Sequence, residues 1–136
     1  MKTNLSPKLR LIITAAIIIL VAVLSLAANV RVVLGQDGIT ASATFAGKTA
    51  VSYTDIETVQ LIDNLNPGSR EMGLGLPWLL GGSFKNSEYG SYKLYSYNNC
   101  KLNIAVTYSG GVLVFNRKTE EATTALYYEI LKMIGE

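Results

Sequence analysis

The residue types that carry most enzyme chemistry are scarce in this chain, and their scarcity narrows the possibilities. Its 136 residues include no His and a single Cys, Cys100. Without His, no Ser-His-Asp or Cys-His nucleophile can be assembled. One Cys excludes an intrachain disulfide, and a structural zinc site needs about four Cys or His ligands. Asp55, Glu57 and Asp63 are close enough in sequence for paired-carboxylate acid–base work, although a solvated strand edge and a turn cap are the simpler account of them. Cys100 lies beside Lys101, a cation of the kind that lowers a thiol pKa, but a small buried hydrophobe is the simpler role. Gly73-Leu74-Gly75 is too short to cradle a phosphate, and neither GxxxxGK[ST] nor GxGxxG occurs. No catalytic residue, metal or cofactor is therefore expected.

Four residues stand out instead as candidates for holding a ligand or partner: Arg70, Trp78, Tyr89 and Tyr92. The Arg70 guanidinium suits a carboxylate or phosphate, or else an internal bridge to Glu71, Asp63 or a loop carbonyl. Trp78 is the only Trp and sits among Leu74, Leu76, Leu79 and Leu80. Trp favours protein interfaces and the bilayer surface. Seven of the eight Tyr residues gather at 89, 92, 95, 97, 108, 127 and 128, a cluster that fits either an interface or a small core.

All four candidates lie on the stretch from Tyr53 to Lys93. It reads as a strand, a long Gly-rich connection and a second strand. Six of the twelve glycines fall between Gly68 and Gly90. A connection this long is usually functional or disordered, and its apolar content argues for order.

The elements that position this stretch begin with Leu11 to Ala28, which contains no charge, Gly or Pro. Eighteen residues at about 1.5 Å each make roughly 27 Å of helix, enough for a thin hydrocarbon core. Lys2, Lys8 and Arg10 precede the run and only Arg31 closely follows it. That asymmetry places residues 1–10 in the cytoplasm as a basic tail, 11–28 across the membrane and 29–136 outside. A signal sequence cleaved at the small-x-small triplet Ser25-Leu26-Ala27 is the competing reading.

From Val30 the apolar period becomes two, the mark of half-buried strands. Strands are expected at 30–34, 39–45, 49–53, 57–63, 91–98, 102–108 and 112–115, joined by turns such as Gln36-Asp37-Gly38 and Ser109-Gly110-Gly111. An amphipathic helix should close the chain, with Thr119 as N-cap, Glu120 and Glu121 in its first turn and Leu126 and Ile130 on its apolar stripe. Its apolar stripe is expected to cover an open end of the strand layer.

This order, with Tyr53-x-Asp55-Ile56-x-x-Val59-x-Leu61, Gly68-x-Arg70, Gly73-x-Gly75, Gly82-x-Phe84 and Tyr89-Gly90, resembles a family of bacterial pleckstrin-homology-like domains that follow transmembrane segments. The likeness covers about residues 30–134, and the bulky insert Leu76-Pro77-Trp78-Leu79-Leu80 departs from it. It implies a mainly β fold: an antiparallel barrel or sandwich of about seven strands with one C-terminal helix, preceded by the membrane helix, in a bacterial cell membrane. Fold of this kind does not fix function.

Charge narrows the partners. Three of the twelve Lys and Arg residues precede the apolar run, leaving nine against ten Asp and Glu from Asn29 onward, a net of −1. Nucleic-acid binding wants a basic stripe, and phosphoinositide binding a basic pocket on the cytoplasmic side, so neither is expected. The function expected is a non-enzymatic, membrane-anchored binding module facing the exterior, with an unknown protein partner. The alternative is a small-ligand carrier or small enzyme, secreted or anchored, with the Gly-rich 68–90 segment as a lid.

Overall fold

The computed structural model describes residues 4–135. Lys2, one of the three basic residues of the N-terminal tail, lies outside them. Helix α1 runs from Pro7 to Leu26, with Pro at its first turn and the Ser6 hydroxyl accepting from the Leu9 N–H at 3.2 Å. Its 20 residues span about 30 Å and none is buried; by length and composition it can cross a membrane. It starts four residues before the uncharged run, so Lys8 and Arg10 fall within its first turns, where long side chains reach back to water.

Nine strands follow, in two sheets. The first sheet is a meander of β1 (Val30–Leu34), β2 (Gly38–Ala43) and β3 (Lys48–Ser52). The second holds β4 (Ile56–Asp63), β5 (Ser69–Leu76), β6 (Leu79–Asn86), β7 (Gly90–Tyr97), β8 (Leu102–Tyr108) and β9 (Gly111–Phe115), in the spatial order β4-β8-β9-β7-β6-β5. Helix α2 (Glu120–Met133) ends the chain. The fold is mainly β as expected, but the expectation of an antiparallel barrel or sandwich of about seven strands is corrected on three counts. Among the described residues there are nine strands, β7 and β9 run parallel, and the sheets are not closed into a barrel.

The two additional strands come from the Gly-rich stretch. Instead of a long connection, residues 69–86 form the β5–β6 hairpin, turned by Pro77-Trp78 and paired with β7 along the whole of β6. Its glycines serve curvature. Gly73 and Gly82 face each other across the hairpin at φ 122° and 125°, and a Cβ on either would collide with the opposing backbone.

Curvature is required by connectivity. β4 and β5 are consecutive in the chain yet occupy opposite edges of the six-stranded sheet. Flat, those edges would be about 24 Å apart, whereas the chain from Asp63 to Ser69 reaches about 21 Å at full extension. The sheet therefore curls toward the crossing segment. Inside the curl Phe84, Tyr92, Leu94, Ala105 and Val114 are buried, with Leu65 packed on them. The Tyr92 hydroxyl donates to the Pro67 carbonyl and the Asn86 amide to that of Asn66, each at 2.9 Å.

The other face of the same sheet carries the main core. Ile104, Val106, Leu113 and Phe115 meet Leu126 and Ile130 of α2 and Ile39 and Ala41 of β2, all buried. Each such side chain contributes about 1.5–3 kcal/mol by leaving water. α2 lies against β4 and β8, and the Thr119 hydroxyl caps it by accepting from the Ala122 N–H at 3.1 Å. The expected cap and apolar stripe are both present.

Candidate functional site

The helix exit is the place where the most unusual side chains converge. No free linker separates α1 from the domain. Ala28 is buried in the main core. The Val30 N–H donates to the Tyr97 hydroxyl at 2.9 Å, joining the first strand residue to the end of β7. The Asn29 N–H donates to the Thr44 hydroxyl and the Thr44 N–H to the Asn29 carbonyl, each at 3.1 Å, which ties the β2–β3 turn to the same point. Trp78 arrives on the β5–β6 turn, its carbonyl accepting from the Asn98 N–H at 2.9 Å.

Two neighbouring hollows result, and Tyr97 and Lys118 line both. One, of about 300 Å³, is bounded by Leu26, Ala28, Trp78 and Asn99 as well. The other, of about 340 Å³, is bounded by Val30, Arg31, Val32, Asn116 and Arg117. The Lys118 ammonium stands 5.8 Å from the centre of the Tyr97 ring, and an Arg117 guanidinium nitrogen donates to the Val32 carbonyl at 3.4 Å. Asn116, completely buried, holds the floor. Its side-chain oxygen accepts from the Tyr97 N–H at 2.7 Å, and its amide donates to the carbonyls of Tyr97 and Cys100 at 3.0 and 3.1 Å.

The four sequence candidates do not form one site. Trp78 and Tyr89 lie beyond opposite ends of β6, whose eight residues extend about 26 Å. Trp78 is half-buried against the main core. Arg70 is exposed on the edge strand β5, its guanidinium lying along Gly75, where an added Cβ would come within 2.7 Å of it. Tyr89 stacks edge-on against Tyr92 with ring centroids 5.4 Å apart. Tyr92 itself is 3% exposed and belongs to the core inside the curl; burial, and secondarily Tyr89, push its hydroxyl up to about 12.

A third hollow of about 290 Å³ opens on the curled side. Its polar residues include Ser96 and Asn103, both buried, with the Ser96 hydroxyl donating to the Asn103 side-chain oxygen at 2.9 Å. Cys100 is buried, its thiol donating to the Leu102 carbonyl at 3.3 Å. Glu57 is exposed beside the β4 irregularity, and Asp55 sits in the short turn Tyr53–Asp55.

Phe45, Asn116 and Lys118 were invisible as site residues in the sequence. Phe45 reads as the last residue of an alternating strand, whereas it sits on the β2–β3 turn at φ 59° and is 74% exposed. An aromatic in a conformation that favours Gly is a signal, but one that only the backbone reveals. No family model, curated protein or solved structure matches this chain, so its function is read from its own residues.

Proposed function

We propose that the chain is a non-enzymatic, single-span membrane protein whose β-domain sits directly on the outer surface of the bilayer and acts as a binding module. The observation that carries this reading is the exit itself. An unburied apolar helix runs without a linker into a residue of the domain core, and the next strand is hydrogen-bonded at its first amide. A cleavable leader has no need of such integration. Lys8 and Arg10 before the span, against Arg31 alone soon after it, favour a cytoplasmic N-terminus. Kinship with bacterial pleckstrin-homology-like domains that follow membrane spans is supported by the run of strands ending in a packed helix; the open curled sheet departs from it. A protein partner is proposed for the face turned away from the membrane, where Arg70 and the 75% exposed Met72 lie on an unpaired sheet edge.

A small-ligand carrier is the second reading, favoured by the hollow that Ser96 and Asn103 line. Bonding of β6 to β7 along its length argues against the 68–90 segment as a swinging lid. Protease added to spheroplasts tests the main reading. The domain should be digested without lysis, and the intact mass should retain residues 1–28. Protection until lysis would reverse the orientation, and a mature N-terminus at Ala28 would make the protein secreted.

A further inference from the structure

We propose that the exit end of the domain is a docking site for anionic phospholipid headgroups of the bilayer that α1 crosses. Lys118, Arg117 and Arg31 receive lipid phosphate, and Phe45 and Trp78 lie at headgroup level beside them. The proposal rests on the single-span reading above.

Depth comes first. The headgroup layer adds about 5–7 Å to each side of the hydrocarbon core. Leu26 is the last residue of α1, and it lines the same hollow as Lys118 and Trp78. Whatever lipid flanks Leu26 therefore places its phosphate in reach of Lys118.

Charge comes second. The domain is net negative by one, yet the two hollows are lined by Arg31, Arg117 and Lys118 and by no carboxylate. Asp63, Glu120 and Glu121 belong to the same end of the fold but line neither hollow. Cations so placed beside an anionic surface attract it, and guanidinium groups suit phosphate oxygens.

The aromatics are a third, independent sign. The β2–β3 turn is tied to Asn29 by two hydrogen bonds, so Phe45 cannot drift from the exit. At φ 59° a bulky residue costs on the order of 1 kcal/mol, and at 74% exposure its ring recovers little of this inside the protein. Contact with lipid would recover it. Trp78 approaches from the other sheet, on a turn that the Asn98 side chain clamps by donating to the Pro77 carbonyl at 3.0 Å. Aromatic rings at the membrane–water boundary are a general feature of spanning proteins.

The test uses the full chain reconstituted into vesicles of phosphatidylcholine alone or of an equal mixture with phosphatidylglycerol. After gentle extraction, mass spectrometry counts the lipids that stay bound. The expected result is enrichment of phosphatidylglycerol over its share of the mixture. Each interfacial cation is worth about a fivefold preference, so Arg117→Gln with Lys118→Gln should lower the ratio of bound phosphatidylglycerol to bound phosphatidylcholine about twenty-five-fold. Because Arg117 also bonds the Val32 carbonyl, Lys118→Gln alone serves as the second variant, expected to lose about fivefold while the melting curve in phosphatidylcholine stays cooperative and shifts only by the loss of its contact with the Tyr97 ring. Equal retention of both lipids by a chain that still floats with alkali-washed vesicles would overturn the headgroup site while leaving the membrane span intact. A chain that no longer floats would overturn both. Displacement of bound phosphatidylglycerol by millimolar inorganic phosphate would reassign the site to a free anion.

Discussion

The two ends of the β-domain differ more than its two sheets do. At the exit end the turns carry Phe45, Trp78, Lys101, Arg117 and Lys118, and the loop Asn98–Lys101 is clasped by the buried amide of Asn116. At the far end the turns carry Asp37, Asp55 and Glu88, with Gly90 and Gly111 at positive φ. Arg31, Arg117 and Lys118 line hollows beside the helix that no carboxylate lines, although Asp63, Glu120 and Glu121 share that end of the fold. A near-zero net charge is thus an average that conceals a local basic patch. That average is what made a basic binding surface look absent from the sequence.

The common scaffold must be intact for either end to have a shape. Ile130→Ala removes a completely buried side chain where α2 meets the sheet, and should cost about 2–5 kcal/mol in urea melts. A loss under about 0.5 kcal/mol would mean that α2 is not docked and that the ends are not held by one core. Asn116→Ala separates the ends more cleanly. It strands the Tyr97 N–H and the Cys100 carbonyl, while the Tyr97 carbonyl keeps the Cys100 N–H, for about 2–3 kcal/mol, and the Tyr97 amide should then exchange hydrogen faster than those of the far-end turns. Uniform acceleration across both ends would contradict a local clasp.

Alkali should sharpen the comparison from the other side. The Tyr92 hydroxyl is raised from 10 to about 12 in the folded state, chiefly by burial. The folded protein then keeps a proton that the unfolded chain releases, so this stability is complete below pH 10 and is lost between about pH 10 and 12. Tyr53, Tyr89 and Tyr108 are raised as well and add to the same trend. Tyr92→Phe should cost about 1 kcal/mol at neutral pH through its lost bond to Pro67 and flatten the alkaline decline. A decline of unchanged steepness in that variant would assign it to the other tyrosines. The smallest effect has the opposite sign: Phe45→Gly should stabilise the domain in detergent by about 0.5–1 kcal/mol, since Gly relaxes the positive φ. Destabilisation would mean that Phe45 packs inward and does not face lipid.

Much of the architecture was legible because it is periodic. The apolar run of α1, the alternation in β1 to β4, β7 and β8, and the Thr119 cap with Leu126 and Ile130 all follow from spacing that one element imposes on itself. The β5–β6 hairpin was not, because Gly73, Gly75, Gly81 and Gly82 occupy strand positions that normally carry side chains. A strand whose side chains are absent at the tight crossings looks like a loop. The parallel pairing of β7 with β9 is likewise set by which strand edge is left open, a tertiary matter. Of the candidate site, Trp78 stands out by its type, but nothing in the order of residues tells that Lys118 lies beside Leu26. Tyr92 belongs to a Tyr cluster that is partly core.

The central claim is that the exit end of the domain rests on the bilayer, and Trp78, the only indole in the chain, reports on it directly. With the full chain in vesicles containing phosphatidylglycerol, Trp78 emission should be quenched strongly by lipids spin-labelled at the headgroup. Labels deep in the acyl chains should quench it weakly, and adding salt should lessen the headgroup quenching. Quenching by aqueous iodide alone, with neither labelled lipid effective, would place Trp78 away from the membrane and contradict the account.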